Sequence, residues 1–539
     1  MAKKKFIVSA LAGILVLGGI GVAAPRHAAA EPVSGGEITY GTQTDPVNWN
    51  PHQNNQANAF LYLRNIFDTL LEKTENGDFV PSLAESYSVS DDGTVYTFRL
   101  RDGVTFHDGE KLDAAAVKLN LDKANETPYS IYAFPNYDSA TVVDDRTVEV
   151  RLKKPDASFL DSIAYIGWGI ISPKSLTEHL NDLPSGGQNL AGTGPFRISS
   201  YQKGAQVVLE SFDDYNWAPE TKAHQGKAYL DKVTYRFLAE PSSRVGALPA
   251  QVDVIEGISA LDVSKFKDRD GFVYLSNDAN GDTFKLSLNA FLSPLDDVRV
   301  RQALRDGFDL DALVKSLYRG EIRRAWSHTS PVSPFYDKSL EGAWGNNVEN
   351  ANKLLDEAGW TERDSEGFRV KDGKRLSVRV LYPTQLDREQ RSTLLQGISQ
   401  QLKQNIGLEF IVDLTPSSTY LKEVASGAVH IYPSTWLHSD VRKSLNGLSN
   451  GGALATDNKA DPSIQPLKDL AAEALATSDN AQRIKIFHEL QRKAVIDDVT
   501  YIPLLVQAYQ IAASNKVNGL GFINQIGSPE GVYDVWVAK

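Results

Sequence analysis

Residues 376–415, LSVRVLYPTQLDREQRSTLLQGISQQLKQNIGLEFIVDLT, decide the fold class of this chain. The stretch opens with alternating apolar and polar residues, the pattern of a strand with one wetter face. A helix is predicted next, because apolar residues recur on one stripe and a glycine follows the last of them. A second alternating strand is predicted to place Leu408, Phe410, Val412 and Leu414 on its apolar face. Strand, helix and strand in this order form a crossover that pairs the strands in parallel, so the sequence predicts an α/β chain.

Two hairpins around a helix are predicted earlier in the chain. One hairpin turns at Asp92-Gly93 and the other at residues 144–146, each between alternating stretches that are typical of strands. Between them, Asp113 precedes a stretch with the spacing of a helix. These elements predict a compact α+β unit over residues 76–189.

Length and charge limit the possible functions. A chain of 539 residues exceeds what one core usually serves, so two or three domains are expected. The formal net charge is −12, and it is −16 without residues 1–30, which carry four basic side chains and no acidic one. A chain this acidic is repelled by phosphate backbones, so we predict no nucleic-acid partner. The charge suits solubility, or a ligand that carries a cationic group.

The first thirty residues have the pattern of a secretory signal peptide. Lysines at positions 3–5 precede an apolar run over residues 6–24, and small residues at 28–30 form an A-x-A cleavage site. We expect cleavage after about Ala30. The alternative is a membrane anchor, because the run is about long enough to span a bilayer. The cleavage site follows the apolar run after only a few residues, which favours the signal peptide.

Residues that would indicate catalysis are missing from the sequence. It contains no H-E-x-x-H, no Walker-type loop and no dinucleotide fingerprint. Gly192-Thr193-Gly194 is followed by Pro195, which removes an amide donor, so a turn is predicted there instead of a phosphate cradle. There is no cysteine, which excludes disulfides, thiolate metal sites and a lipidated N-terminal cysteine. We therefore predict no catalytic residues, no metal site and no cofactor.

Six ordered segments carry a resemblance to a known family. They are GEITY (36–40), NIFDTLL with PSLAESY (65–71 and 81–87), TFRLRDGVTFHDG (97–109), GTGPF (192–196), PLDDVRVRQAL (294–304) and NANKLLDEAGW (350–360). Together they resemble the family 5 extracytoplasmic solute-binding proteins of ABC importers, which include oligopeptide, dipeptide and nickel receptors. The resemblance extends from about Gly36 to Val517.

This resemblance implies a two-lobed α/β periplasmic-binding-protein fold, type II-like and of the large class, with an extra α+β domain inserted on one lobe. Lobe I would be discontinuous, with the chain crossing between the lobes more than once. The domain prediction is a signal peptide over 1–30; lobe I over 31–75, 190–275 and 510–539; the inserted domain over 76–189; and lobe II over 276–509.

The resemblance also implies a ligand site in the later lobe. In peptide-binding members, an aspartate shortly after a tryptophan holds the α-ammonium group of the peptide. Asp440 is the matching candidate here, with Trp436 as an apolar wall. Those members continue with an aromatic-proline-aspartate-proline run, whereas this chain continues Val-Arg-Lys-Ser. Arg442 suits a carboxylate, so an opine-like zwitterion also fits, and His438 leaves a metal chelate open.

An aromatic cluster in the inserted unit includes Tyr132 and Tyr137. If the cluster faces the cleft, it covers the side chains of a peptide ligand without requiring one particular ligand sequence. The alternative is packing in a core. Both tyrosines are therefore candidate ligand contacts.

The predicted function is capture of a peptide or peptide-like solute by hinged closure of two lobes. The implied partners are a small solute and an ABC permease with its ATPase, and the protein is predicted to be a monomer. Without a lipid anchor, an enclosed periplasm keeps such a receptor near the membrane, so a periplasmic location is expected. An opine, a metal chelate or an oligosaccharide is the alternative ligand, and an exported hydrolase the alternative activity.

Overall fold

A computed structural model describes residues 31–54, 56–127, 134–156, 158–437, 465–477, 479–523 and 525–539. The predicted signal peptide lies outside these residues. The α-helices are α1 Phe60–Ile66, α2 Ala114–Asn125, α3 Phe159–Ile163, α4 Pro173–Glu178, α5 Pro241–Ala247, α6 Val298–Asp306, α7 Leu310–Tyr318, α8 Val348–Glu357, α9 Arg391–Ile406, α10 Ser417–Ala425, α11 Gln465–Ala476 and α12 Asn480–Arg492. None of these described helices has both the length and the apolar character needed to cross a bilayer.

The strands of the described residues are β1 Glu37–Thr42, β2 Leu71–Lys73, β3 Phe79–Pro81, β4 Ala84–Val89, β5 Val95–Leu100, β6 Tyr137–Asp144, β7 Thr147–Leu152, β8 Phe196–Gln202, β9 Gln206–Ser211, β10 Lys232–Phe237, β11 Val254–Glu256, β12 Phe272–Asp278, β13 Phe284–Leu288, β14 Glu362–Arg363, β15 Arg369–Lys371, β16 Lys374–Arg375, β17 Ser377–Pro383, β18 Glu409–Thr415, β19 Ile431–Ser434, β20 Tyr501–Leu505, β21 Ala508–Ser514, β22 Val517–Asn518 and β23 Trp536–Val537.

Two large sheets form the two lobes. The sheet of lobe I has the order β12-β21-β11-β1-β10-β9-β8, and the sheet of lobe II has the order β18-β17-β19-β13-β20. The predicted crossover is confirmed: β17 and β18 pair in parallel over their full length, and α9 connects them. Gly407 ends α9 in the left-handed conformation with φ 68°, as the sequence indicated.

One detail of this crossover differs from the prediction. Leu414 was expected on the apolar face, but its side chain is 42% exposed. The reason is its place in the sheet: β18 is an edge strand, so its end has a neighbouring strand on one side only. Phe410, further from the end, is buried as predicted.

The two predicted hairpins form one four-stranded sheet with the order β4-β5-β7-β6. The side chain of Asp113 caps α2 by accepting a hydrogen bond from the amide of Ala116 at 2.7 Å. The buried residues of this unit and those on one face of the lobe I sheet belong to one continuous hydrophobic core, and a second cluster packs on the other face. The unit therefore packs against lobe I, while the exact domain boundaries stay a prediction.

Within the part of the chain that the structure describes, the backbone crosses between the two sheets twice, at residues 279–283 and 506–507. Strand β12 enters the first crossing and β13 leaves it, whereas β20 enters the second and β21 leaves it. The amide of Ala279 donates to the carbonyl of Gln507 at 2.8 Å, so the two crossing segments lie side by side. We call residues 279–283 and 506–507 the hinge.

Strand directions place the hinge at equivalent edges of both sheets. In lobe I, β1 is parallel to β10 and β11, and β21 is antiparallel to β11 and β12, so β12 ends at the carboxyl edge of β1. In lobe II, β17 is parallel to β19, and β13 is antiparallel to β19 and β20, so β20 ends at the carboxyl edge of β17. The carboxyl edges of the two sheets therefore meet at the hinge.

Candidate functional site

The region beside the hinge, where the carboxyl edges of the two sheets meet, is the candidate site. In open α/β sheets, ligands bind beyond the carboxyl ends of the strands, where the loops leave the sheet. Here two such edges meet, so loops from both lobes contribute side chains to one space. Glu256 ends β11 of lobe I, Arg388 follows β17 of lobe II, and Gln507 lies in the hinge between them. These three residues define the arrangement described below.

On the lobe II side, two arginines follow β17. The guanidinium of Arg391 pairs with Glu389 at 2.7 Å and lies 4.3 Å from the centre of the Phe284 ring. Burial alone would lower the pKa of Arg391, but Glu389 holds it above its usual value. Arg391 is therefore a buried arginine whose charge is compensated within its own lobe.

Gln507 connects both arginines to the hinge. Its side-chain oxygen accepts hydrogen bonds from Arg388 Nη2 and Arg391 Nη2, each at 3.1 Å. Two donors on this oxygen fix the orientation of the amide, so its nitrogen points away from the arginines. That nitrogen is buried and has no hydrogen-bond partner, as does Nε of Arg388.

On the lobe I side, the backbone oxygen of Glu256 accepts a hydrogen bond from a buried arginine, Arg244. Arg244 is 1% exposed and donates to the carbonyls of Leu238, Ala239, Glu256 and Gly257 at 2.6–2.9 Å. These hydrogen bonds connect the ends of β10 and β11. Burial raises the pKa of Glu256, and Arg244, the amide of Gln43 and Arg388 oppose that rise.

Tyr509 and Glu256 lie on the same face of the lobe I sheet. Glu256 is opposite Ile511 in the pairing of β11 with β21, and Tyr509 is two residues from Ile511. Residues two apart on a strand face the same side, so the phenol and the carboxylate share one surface at the carboxyl edge. The Tyr509 hydroxyl is buried and has no hydrogen-bond partner.

The structure places Trp436 beside the hinge. Its backbone oxygen accepts from the amide of Asp282 at 2.7 Å, and Leu437 forms a bridge with Gly281. The Trp436 side chain is 36% exposed. The exit of β19 therefore runs along the hinge, and contact of Trp436 with a ligand stays a prediction.

The other predicted contacts are distributed differently. Asp440, His438, Arg442 and Tyr132 lie outside the described residues, so their predicted roles stay predictions. Tyr137 belongs to the hydrophobic core of the inserted unit, and its hydroxyl donates to Asp122 Oδ1 at 2.5 Å. The structure thus places Tyr137 in the core packing that was the alternative, and not among the residues at the hinge.

The predicted turn at Gly192–Gly194 is part of the scaffold. An added Cβ at Gly194 would lie 2.6 Å from the carbonyl oxygen of Asn65, so glycine allows a close approach of two backbones. His107 lies at the same contact, with Nε2 2.8 Å from the carbonyl oxygen of Gly194. These contacts join the turn to the end of α1.

A polar cavity lies within lobe I. Its lining includes Arg64, Glu72, Lys222 and Glu530. Arg64 pairs with Glu72 at 2.8 Å, and Lys222 pairs with Glu530 at 3.3 Å. Asp68 also lines the cavity and accepts hydrogen bonds from Thr193, Tyr215 and Trp217 at 3.0–3.3 Å. Among the described residues, no cluster of three or more histidines and carboxylates could hold a metal ion.

Sequence reasoning missed Glu256, Arg388, Gln507 and Tyr509. A signal for one of them was available: the predicted crossover places the loop after its first strand at a carboxyl edge, and Arg388 lies in that loop. The sequence gives no comparable signal for the other three residues. They come close to Arg388 only because of the way in which the hinge joins the two sheets.

Comparisons with known proteins agree with this architecture. The model of the family "bacterial extracellular solute-binding proteins, family 5 Middle" matches residues 78–452. The glutathione-binding protein GsiB of Escherichia coli O1:K1 is 27% identical over 459 residues, which cover 83% of this chain and 84% of that protein.

Solved structures share the fold. NikA from Brucella suis, in complex with Fe(III)-EDTA, superposes with a TM-score of 0.79 at 22% identity and covers 93% of this chain and 100% of its own. DppA from Helicobacter pylori, in complex with the peptide STSA, gives a TM-score of 0.76 at 23% identity and covers 94% and 99%. Because the family model matches more than half of its length, this chain belongs to the bacterial extracellular solute-binding proteins of family 5.

Proposed function

We propose that this protein is the substrate-binding component of an ABC importer and captures a peptide or peptide-like solute between its two lobes. The observation that carries the proposal is the arrangement at the hinge: Glu256 of lobe I, Arg388 of lobe II and Gln507 of the crossing surround one space, and buried donors there lack partners. A solute that meets all three contacts both lobes at once.

Such a solute drives closure through its better contacts in the closed form. Hydrogen-bonding side chains of the protein pair with the backbone amides and carbonyls of a peptide. An acidic side chain pairs with the ammonium end of a short peptide, and a basic side chain pairs with its carboxylate end. The names of relatives favour this class, since GsiB is a glutathione-binding protein and the DppA structure contains a peptide. In the same proposal, Asp440 and Arg442 supply further charged contacts, and Trp436 an apolar wall.

The remaining parts of the proposal follow from the receptor role. The protein works outside the cytoplasm, in the periplasm, after removal of residues 1–30, and delivers the solute as a monomer to a permease with its ATPase. Lobe I comprises 31–75, 190–275 and 510–539, the inserted domain 76–189, and lobe II 276–509. We propose no catalytic step.

Calorimetry with the purified protein tests the proposal. The panel contains trialanine, glutathione, an opine, a metal chelate and an oligosaccharide, and each solute is analysed by mass spectrometry after incubation. We expect saturable binding of a peptide at one site per chain, with the peptide recovered unchanged. Cleavage products would indicate a hydrolase, and saturable binding of only an opine, a chelate or a sugar would replace the peptide by that class.

A further inference from the structure

We propose that the C-terminal segment 525–533 braces the hinge from the side of lobe I, so that lobe closure turns the backbone at Gly281. We call residues 525–533 the brace. The inference rests on the proposed function, because it states which residues guide the closure around a solute. It follows from the burial of the brace, from the contacts at its two ends and from the change of hydrogen-bond partners along the hinge.

The brace is an irregular segment that is nevertheless buried. It lies outside the helices and strands of the described residues, yet every one of its residues except Glu530 is buried. Irregular segments normally run over the surface, because their backbone groups need water or another partner. Ile526 and Val532 belong to the hydrophobic core that lobe I shares with the inserted unit. The packing therefore fixes the position of the brace on lobe I.

One end of the brace is attached to α1 by a hydrogen bond and by charges. The amide of Val532 donates to Asn65 Oδ1 at 2.8 Å, and Asn65 is fully buried. Glu530 pairs with Lys222 at 3.3 Å and lies 3.9 Å from Nε of Arg64. This end of the brace therefore cannot move without disrupting α1.

The other end of the brace contacts the first crossing of the hinge. The carbonyl of Ile526 accepts from the amide of Asn280 at 3.0 Å, and the carbonyl of Gly527 accepts from Asn277 Nδ2 at 3.3 Å. An added Cβ at Gly527 would lie 2.6 Å from the carbonyl oxygen of Asp278, so the two backbones are in direct contact. The brace therefore holds the start of this crossing on lobe I.

The hydrogen-bond partners of the first crossing change at Gly281. The carbonyl of Gly281 accepts from the amide of Ser330 in lobe II at 2.8 Å. The next amide, that of Asp282, donates to the backbone oxygen of Trp436, also in lobe II. The backbone is thus bonded to lobe I up to Asn280 and to lobe II from Gly281 onwards. Gly281 has φ 112°, in the region that favours glycine, and glycine changes φ at the lowest cost. A rotation of the lobes therefore falls on this residue.

The second crossing changes partners at Gln507. The amide of Val506 donates to the carbonyl of Arg323 in lobe II at 2.9 Å, whereas Ala508 pairs with Asp278 of β12 in lobe I. Gln507 is also the residue whose carbonyl accepts from the first crossing at 2.8 Å. The two points of change therefore lie side by side, which defines one axis for the closure.

Distance measurements between the lobes test this arrangement. The chain has no cysteine, so Lys203→Cys in lobe I and Lys353→Cys in lobe II, both at exposed positions, provide two unique sites for spin labels. Pulsed electron paramagnetic resonance then gives the distribution of interlobe distances without ligand and with saturating trialanine. For the labelled protein without further changes we expect a narrow distribution, and a shifted mean distance when trialanine binds.

Gly527→Ala tests the brace, because the added Cβ pushes the brace away from the hinge. It should broaden the distance distribution by several ångström and weaken trialanine several-fold, since the arrangement that binds becomes less populated. Gly407→Ala is the matched control and should change neither. Both glycines have positive φ, 73° and 68°, and an added Cβ would lie 2.6 or 2.8 Å from a backbone oxygen. Gly407, however, precedes β18 and so lies at the opposite edge of the lobe II sheet from the hinge.

Asn277→Ala keeps this test informative if Gly527→Ala folds poorly. It removes only the side-chain hydrogen bond to the carbonyl of Gly527, and it should broaden the distribution in the same way but less.

Gly281→Ala tests the point of rotation. Alanine adopts a φ of 112° only at a cost, so this variant should shift the mean interlobe distance without ligand. Gly109→Ala is the matched control, because Gly109 has φ 87°, lies in the inserted unit and has no atom within 4 Å of an added Cβ. The control should lose a similar amount of thermal stability and keep the original distances.

The possible results separate the two hypotheses. Unchanged distances in both Gly527→Ala and Asn277→Ala overturn the brace, and unchanged distances in Gly281→Ala overturn the rotation at that residue. Either result leaves the receptor function intact. If neither trialanine nor any other solute of the calorimetry panel shifts the distances of the labelled protein, capture by lobe closure is overturned. The distances measured without ligand still decide the brace in that case.

Discussion

Asp282 and Lys285 form an ion pair of 2.9 Å in which both side chains are only 2% exposed. Asp282 lies in the hinge and Lys285 in β13, directly below it. His328 Nε2 is 3.2 Å from the same carboxylate oxygen, but burial lowers the pKa of His328, with Asp282 opposing. Burial also lowers the pKa of Lys285, and its ion pair with Asp282 opposes that change. The backbone amide of Asp282 also donates to the backbone oxygen of Trp436, so the pair lies beside the segment that follows β19.

Removing one member of this pair should destabilise the protein strongly. Lys285→Met or Asp282→Asn leaves one buried charge uncompensated, which costs about 3–5 kcal/mol. The double variant should cost less than the sum of the single variants, because neither buried charge remains. Urea unfolding followed by tryptophan fluorescence measures all three. Additive single losses would mean that the two side chains do not interact.

A second prediction concerns the turn that packs on α1. Gly194→Ala places a Cβ 2.6 Å from the oxygen of Asn65, and the forced backbone shift should cost about 1–3 kcal/mol. Gly246→Ala is the matched control, because no atom lies within 4 Å of its added Cβ and the residue is in α5. Thermal unfolding should show a loss for the first variant only. Equal stability of the two variants would contradict the close approach.

Local patterns were sufficient to predict much of the fold. The crossover of β17, α9 and β18 follows from alternation and helical spacing within one stretch, and the hairpins follow from turn residues between alternating runs. Asp113 and Gly407 were recognisable because capping requires particular residue types. The exposed Leu414 was not predictable, since the order of strands in a sheet depends on contacts between distant parts of the chain.

The site was less predictable for the same reason. Glu256 and Arg388 belong to different sheets, and they approach each other only because both crossings join carboxyl edges. Sequence alone also could not place Tyr137, because an aromatic residue on a strand has the same pattern in a core and in a cleft. The contacts predicted for Asp440 and Arg442 stay predictions.

A third prediction concerns acid stability through His52. This residue is 3% exposed, its Nε2 lies 3.0 Å from the carbonyl oxygen of Gly169, and its ring stacks on Trp168. Burial lowers its pKa to about 4, and the hydrogen bond to Gly169 opposes the change. Below pH 6.5 the unfolded chain therefore binds a proton that the folded chain excludes. The contribution is complete above about pH 6.5 and is lost as the pH falls towards 4, by about 3 kcal/mol at most.

His52→Gln tests this assignment, because glutamine keeps a donor for Gly169 but does not titrate. Urea unfolding between pH 4 and pH 7 should give a shallower decrease of stability for the variant. The absolute stability of the variant at pH 7 is not the readout, since it also loses the stacking on Trp168. Parallel curves for both proteins would assign the acid sensitivity to other groups.

The last prediction concerns the cationic end of a peptide and Glu256. Glu256→Gln removes the charge and keeps the shape, so it should weaken trialanine roughly 10-fold and N-acetyl-trialanine little, since only the first has an ammonium group. Burial raises the pKa of Glu256, so its charge is lost at a higher pH than that of an ordinary glutamate. Affinity for trialanine should therefore fall as the solution is acidified, and this fall should be absent in the variant.

Glu126→Gln, an exposed glutamate next to α2, is the control and should behave as the natural protein. Calorimetry at several pH values provides both comparisons, and equal losses for the free and acetylated peptides would remove Glu256 from the ammonium contact.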